Sequence, residues 1–171
     1  MAELSNEERL QPSLLDRLTD DAPTEQKESQ EKRVLPLRRL RAAVMRDLSW
    51  LLNTVSLDST EDLEPYPEVA NSVLNYGLPE LSGQSVSGLD QAAIERILRQ
   101  AIGTFEPRIL RESLKVRAVT LRDSTSHHSV GFEIEGELWA QPVPIHLLLR
   151  TEVEFETGDV TLLDESGRKV G

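Results

Sequence analysis

The sequence contains no cysteine, and aromatic residues make up only 4% of its 171 residues. The absence of cysteine excludes disulfides and thiolate metal sites, and it fits a reducing compartment. No apolar run approaches the roughly 20 residues that a membrane-spanning helix needs. The start, MAELSNEERL, lacks the basic and apolar regions of a signal peptide. These absences predict a soluble cytoplasmic protein.

Positive charge is also scarce, and the net charge is -11. Residues 54–90 hold seven acidic residues and no lysine or arginine, whereas residues 34–53 and 91–122 each carry a net positive charge. Because nucleic acid prefers a basic surface, it is not expected as a partner. The acidic segments favour a solvated surface. The basic segments leave open a second interpretation, in which they dock acidic partners.

Residues that could carry catalysis are present but follow no catalytic pattern. His127 and His128 fall in a predicted turn, and His146 stands apart, so their spacing does not suit a metal site. There is no nucleophile elbow and no glycine-rich phosphate loop. Glu106 and Glu133 could form a glycosidase-like pair, but nothing in the spacing selects them. We expect no catalytic residue, cofactor, metal or small-molecule substrate, with a small peptidoglycan-cleaving enzyme as the alternative.

The first 33 residues predict an acidic N-terminal arm. Within PSLLDRL, Leu14, Leu15 and Leu18 occur at helical spacing and predict a short helix over residues 12–18. That helix either folds back on the domain or inserts into a groove of a neighbouring protein. Residues 19–33 have the composition of a disordered linker.

Two longer amphipathic helices follow. Apolar residues at three- and four-residue spacing predict a helix over residues 36–53, with Asn53 as its stop. A second helix is predicted over residues 89–105, with Ser87 as a possible N-cap. The arginines of the first helix either form a solvated face or grip an acidic surface; they are Arg38, Arg39, Arg41 and Arg46.

A short segment between these helices predicts a turn against the core. Its Asn-Tyr-Gly sequence followed by proline indicates a helix stop, with Gly77 in the left-handed conformation. Four apolar residues are expected to face the core, namely Val69, Val73, Leu74 and Leu78.

From residue 114 the apolar pattern changes to a period of two, which is typical of strands. The alternation predicts an antiparallel sheet with one wet face. Helices followed by hairpins predict an α+β fold, with a small antiparallel sheet and two main helices packed on one face. The single domain is predicted to span residues 34–163, followed by a flexible tail over 164–171. The strands are predicted over residues 114–122, 130–140, 145–157 and, shorter, 158–163.

The stretch GTFEPRIL places opposite charges on both sides of a proline at the helix-to-strand junction. The helix should end near Phe105, because Pro107 disfavours helical backbone at Glu106. Glu106 and Arg108 either pair with groups inside the chain or are presented to a partner. The residues alone leave both interpretations open.

The order of these pieces resembles the TssE family of type VI secretion baseplates, which is related to the lysozyme-like wedge protein of contractile phage tails. The resemblance covers roughly residues 12–160. It rests on SLLDRL, on LRRLRAAVMRDLSWLLNT, on YPEVANSVLNYGLPELSG and on the helix leading into FEPRI. The long acidic linker after SLLDRL and the C-terminal tail depart from the family pattern.

The resemblance implies a structural, non-catalytic wedge subunit. Its implied partners are baseplate subunits of the TssF, TssG and TssK types and sheath subunits of the TssB and TssC types, with the membrane reached only through the assembled machine. Glu106, Pro107 and Arg108 would bind the wedge core, so that Arg108→Ala weakens assembly without unfolding the domain.

Two other contacts are expected from the same resemblance. Leu14, Leu15 and Leu18 would dock another baseplate subunit, and a free sheet edge would accept strands of sheath subunits. A generic binding module with a regulatory acidic arm remains a third possibility.

Overall fold

The structure, a computed structural model, describes residues 13–19, 37–82, 90–119, 129–140, 144–164 and 169–170. The predicted linker from residue 20 onward, Ser87 and the turn with His127 and His128 lie outside these ranges. Within the described ranges, no helix has the length and apolar character that crossing a membrane requires.

The described residues form four α-helices, and the two long ones supply most of the helical core. They are α1 (Leu14–Leu18), α2 (Leu37–Leu52), α3 (Pro67–Ala70) and α4 (Gln91–Phe105). α4 begins at Gln91, two residues later than predicted, because the Asp90 carboxylate caps it by accepting the N–H of Ala92 at 3.1 Å. It ends at Phe105, as the argument from Pro107 predicts.

In the part of the chain that the structure describes, five antiparallel strands form one sheet in the order β1-β2-β3-β4-β5. The predicted α+β class is therefore confirmed. The last strand lies in the segment that was predicted as a flexible tail. It pairs with β4, with Lys169 opposite Leu163. The strands are β1 (Lys115–Val119), β2 (Ser129–Leu138), β3 (Ile145–Glu154), β4 (Val160–Leu163) and β5 (Lys169–Val170).

The sheet buries one face and exposes the other, as the alternation predicts. On β2, Phe132 and Ile134 are fully buried, whereas Glu133 lies on the opposite face beside Arg150 of β3 at 3.5 Å. The buried face packs against the apolar stripes of α2 and α4 to form one core. Those stripes contribute Leu40, Val44, Leu48, Leu51 and Leu52 from α2, and Ile94, Leu98, Ala101 and Ile102 from α4.

The segment after α3 differs from the prediction in one respect. Val73 is 81% exposed and Leu74 is 68% exposed, so neither faces the core. The buried side chain here is Asn75, whose amide accepts the N–H of Asp58 and donates to the C=O of Ala70, both at 3.0 Å. Because these two bonds satisfy the buried amide, a polar residue takes the inner position and the apolar neighbours turn outward.

The predicted helix stop is confirmed at Gly77, which has φ +134°. The N–H of Leu78 donates to the C=O of Thr54 at 2.8 Å, and the Leu78 side chain is buried. A Cβ at Gly77 would lie 2.4 Å from the Thr54 oxygen, so this close approach requires glycine.

Candidate docking site

The corner after α4 is fixed by the end of strand β2. Glu106 leaves the helical conformation with φ -118° and ψ 77°. The C=O of Arg108 accepts the N–H of Trp139 at 2.7 Å, and Ile109 forms a bridge with Leu138. The backbone of the corner is therefore held between the last turn of α4 and the sheet.

Glu106 and Arg108 pair with each other inside this corner. Nε of Arg108 donates to Oε1 of Glu106 at 2.7 Å, and Nη2 donates to Oε2 at 2.5 Å. Oε1 also accepts the backbone N–H of Arg108 at 3.2 Å. Glu106 is only 3% exposed, so this forked pairing compensates a carboxylate that is buried.

Asp47 of α2 completes the pairing from the other side. Its Oδ2 accepts Nη2 of Arg108 at 2.6 Å, and its Oδ1 accepts Nε of Arg46 at 2.8 Å. Tyr76 donates its hydroxyl to the backbone C=O of Asp47 at 3.2 Å. Asp47 was not singled out from the sequence, although it is the only acidic residue between residues 34 and 53.

Electrostatics fix the protonation of two members of this network, Arg108 and Tyr76. Burial acts to lower the pKa of Arg108, but hydrogen bonds and charges of Glu106 and Asp47 outweigh it and raise that pKa. Burial, and then the charges of Asp47 and Glu106, raise the pKa of Tyr76. The guanidinium therefore stays charged and the phenol stays neutral at physiological pH. The Tyr76 ring also packs edge-on against Phe105, with centroids 5.3 Å apart.

This geometry matches the interpretation in which the charges pair within the chain. The expectation that Arg108→Ala leaves the isolated domain intact does not fit this geometry. The substitution would leave the buried Glu106 carboxylate without a cationic partner. Contact of Glu106, Pro107 and Arg108 with a partner stays a prediction. Pro107 is exposed, and the side chain of Arg108 retains 23% exposure.

The N-terminal helix α1 is attached to the same network through the carboxylate of Asp16. Nη1 of Arg46 donates to Oδ1 of Asp16 at 2.9 Å. The leucines of α1 point away from the domain, with Leu14 70%, Leu15 43% and Leu18 74% exposed. The helix thus folds back on the domain through Asp16 and still presents its apolar residues to solvent.

Both tryptophans of the chain border this network. The guanidinium carbon of Arg46 lies 5.1 Å from the ring centroid of Trp50, and Trp139 bonds to the corner through its backbone. Trp50 is 51% exposed and Trp139 is 52% exposed. Exposed tryptophan next to arginine is a combination that protein interfaces favour. No pattern in the sequence singled out these residues, although they are the only tryptophans of the chain.

A line of five charged residues therefore joins the two regions that were predicted to bind partners. Asp47 and its neighbour Arg46 lie at its centre on α2. One end of the line lies in the corner, at Glu106 and Arg108, and the other end lies in α1, at Asp16. Two segments separated by almost 90 residues in sequence are thereby connected by ion pairs. In order, the line consists of Asp16, Arg46, Asp47, Arg108 and Glu106.

The attachment of α1 is expected to depend on pH. Burial acts to raise the pKa of Asp16, but Ser13 and Arg46 outweigh it, so the pKa lies below its ordinary value of 3.8. The ionised Asp16 carboxylate therefore stabilises the attached state at pH values above its ordinary pKa. This stabilisation is lost as the pH falls through the lowered pKa of the attached state. Amide exchange at Thr19, whose N–H donates to the C=O of Leu15 at 3.0 Å at the end of α1, measures this release. Asp16→Asn should abolish the pH response, and an unchanged response would contradict the role of Asp16.

The proposed catalytic pair is not brought together as a free pair of carboxylates. Both oxygens of Glu106 are bonded by Arg108, and Glu133 lies on the outer face of the sheet beside Arg150. His146 contacts Glu135 at 3.3 Å on that outer face. In the part of the chain that the structure describes, no group of three or more potential ligands is placed to hold a metal ion.

Comparison with known proteins places the chain in a class of structural baseplate proteins. Residues 38–143, more than half of the chain, match the family described as baseplate wedge protein gp25. The chain belongs to this gp25 baseplate wedge family, which includes the TssE proteins. The matched range contains α2 except its first residue, all of α4 and the Glu106–Arg108 corner. No curated protein and no solved structure matches the chain.

Proposed function

We propose that the chain is a non-enzymatic baseplate subunit of a type VI secretion system in the cytoplasm. In this role it binds the wedge core and initiates assembly of the contractile sheath. The observation that carries the proposal is the match to the baseplate wedge family across α2, α4 and the corner. The proposed partners at the wedge core are subunits of the TssF and TssG types.

The corner offers both a rigid frame and an exposed edge for this contact. Glu106 is buried and acts inward, so the contact would be made by Pro107 and the outer part of the Arg108–Asp47 pair. The side chains of Arg108 and Asp47 are 23% and 21% exposed. Trp139, bonded to the backbone of Arg108, adds an apolar anchor at the rim. Because the internal ion pairs fix these groups in advance, little side-chain freedom is lost on binding.

The leucines of α1 supply the second contact, with another baseplate subunit such as one of the TssK type. The side chains of Leu14 and Leu18 are largely exposed to solvent. The ion pair between Asp16 and Arg46, and not these leucines, attaches α1 to the domain. Burying an exposed leucine in a groove contributes about 1.5–3 kcal/mol.

The experiment is co-purification of the tagged full-length chain with wedge subunits of the TssF, TssG and TssK types. Wild type is expected to retain them. A triple variant, Leu14→Ser/Leu15→Ser/Leu18→Ser, should lose one subunit and keep the wedge core, with an unchanged melting temperature, because these side chains contribute little to the core. The matched control is Val73→Ser/Leu74→Ser, which changes exposed apolar residues elsewhere and should retain every subunit. Failure of wild type to retain any wedge subunit would overturn the proposal.

A further inference from the structure

The two edges of the sheet are protected to different degrees. On the side opposite β1, the two-residue edge strand β5 leaves part of β4 uncovered, and there Asn53 accepts the N–H of Val160 at 2.9 Å and donates to its C=O at 2.8 Å. The next outward-facing residue, Leu162, is paired with Val170 of β5. Both backbone groups of Val160 are therefore satisfied by one side chain, and a short strand covers the rest of this edge.

The β1 edge carries a single cap. The N–H of Ala118 donates to Oε1 of Glu95 on α4 at 2.7 Å. Because β1 pairs with β2 on its other side, this bond marks the outward direction of the Ala118 N–H. Alternate residues of an antiparallel strand direct their backbone groups to the same side, so Val116 also faces outward. Among the described residues, Glu95 is the only group that bonds to this outward side.

Glu95 occupies the position that a neighbouring strand would use. Its carboxylate oxygen lies at the distance at which the carbonyl oxygen of an added strand accepts an N–H. An arriving strand can therefore replace Glu95 by an equivalent bond while the carboxylate returns to water. Displacing Asn53 from the other edge would break two bonds and would also require the removal of β5.

We propose that the β1 edge accepts an extended segment of a partner protein as a sixth strand, and that Glu95 is the residue that gates it. This inference rests on the proposed function, because strand addition is how sheath subunits would join the domain. It assigns the edge and the gating residue, which the sequence left open. The gate also guards the free subunit against unwanted pairing at an exposed edge.

The side chains of β1 define the chemistry of the occupant. Lys115 and Arg117 are exposed on the outer face of the edge strand. Lys115 lies 3.7 Å from Glu135 of β2, and its side chain is still 55% exposed. Side chains directly across from each other on adjacent strands interact, and opposite charges there are favourable. The occupant is therefore a segment with acidic residues at alternate positions.

The test uses the full chain and a labelled ten-residue peptide of alternating valine and glutamate. Glu95→Ala should bind the peptide about tenfold more tightly than wild type, since one charge-assisted hydrogen bond no longer competes. Glu95→Gln should stay close to wild type, because its amide oxygen still accepts the N–H of Ala118. Amide exchange should slow at Val116 and Ala118 when the peptide is bound. A valine–lysine peptide should bind more weakly to all three proteins.

Three results would overturn the inference. The first is protection by the peptide of amides in β4 and β5 instead of β1. The second is equal or weaker binding by Glu95→Ala while its melting temperature matches that of wild type. The third is concentration-dependent dimerisation of Glu95→Ala in sedimentation, which would make a second copy the occupant. Peptide addition at β1 together with failed co-purification of wedge and sheath subunits would instead reject the proposed function and leave the edge assignment standing.

Discussion

Arg108→Ala is expected to lower the free energy of unfolding by about 3–5 kcal/mol. The substitution removes both side-chain donors from Glu106, which is only 3% exposed, and one of the two arginine partners of Asp47. A carboxylate that is buried without a cation costs far more than a lost surface ion pair. Urea denaturation of the isolated chain measures the loss.

Arg46→Ala is the matched control for this prediction. It also removes an arginine from Asp47, but it leaves no buried carboxylate behind, because Asp16 and Asp47 are both partly exposed. Its effect on the free energy of unfolding should be about 1 kcal/mol. Equal denaturation midpoints for Arg108→Ala and wild type would contradict the internal pairing.

The double variant Glu106→Gln/Arg108→Met should separate folding from partner binding. The glutamine oxygen still accepts the backbone N–H of residue 108, and no unpaired charge is left at position 106. Replacing a buried ion pair by neutral groups of similar volume is often neutral for stability. The variant should therefore unfold within about 1 kcal/mol of wild type.

Its affinity for the wedge core should fall about 30-fold or more, because truncating a desolvated charge at an interface costs about 2–5 kcal/mol. Titration calorimetry with purified subunits of the TssF and TssG types measures this. Thr104→Ala, which changes an exposed residue on the last turn of α4, provides the control. Unchanged affinity in the double variant would make the corner an internal brace only.

Local patterns predicted much of the fold. The apolar stripes located α2 and α4, and the proline at position 107 predicted the end of α4 at Phe105. The alternation of apolar residues predicted an antiparallel sheet with one wet face. These features depend on neighbours in sequence, so the sequence alone determines them. Val73 and Leu74 were misplaced because Asn75, an amide with two local backbone partners, took the buried position.

The site was predicted less completely, because its contacts join distant segments. The EPR motif drew attention to Glu106 and Arg108, but the choice between internal and external pairing depended on Asp47, which is 61 residues away from Arg108. In the same way, Asn53 could be read as a helix stop but not as the cap of Val160. Glu95 gave no local sign that it reaches the edge of β1.

Amide hydrogen exchange on the wild-type chain, free and bound to the purified wedge core, tests whether the chain docks through its corner. A baseplate subunit that docks through its corner should show slower exchange at residues 105–110 and at Trp139 in the complex. Exchange at Val116 and Ala118 of the β1 edge should stay as in the free chain until sheath subunits are added. Absence of a complex, or a complex in which residues 105–110 exchange as fast as in the free chain, would contradict the account.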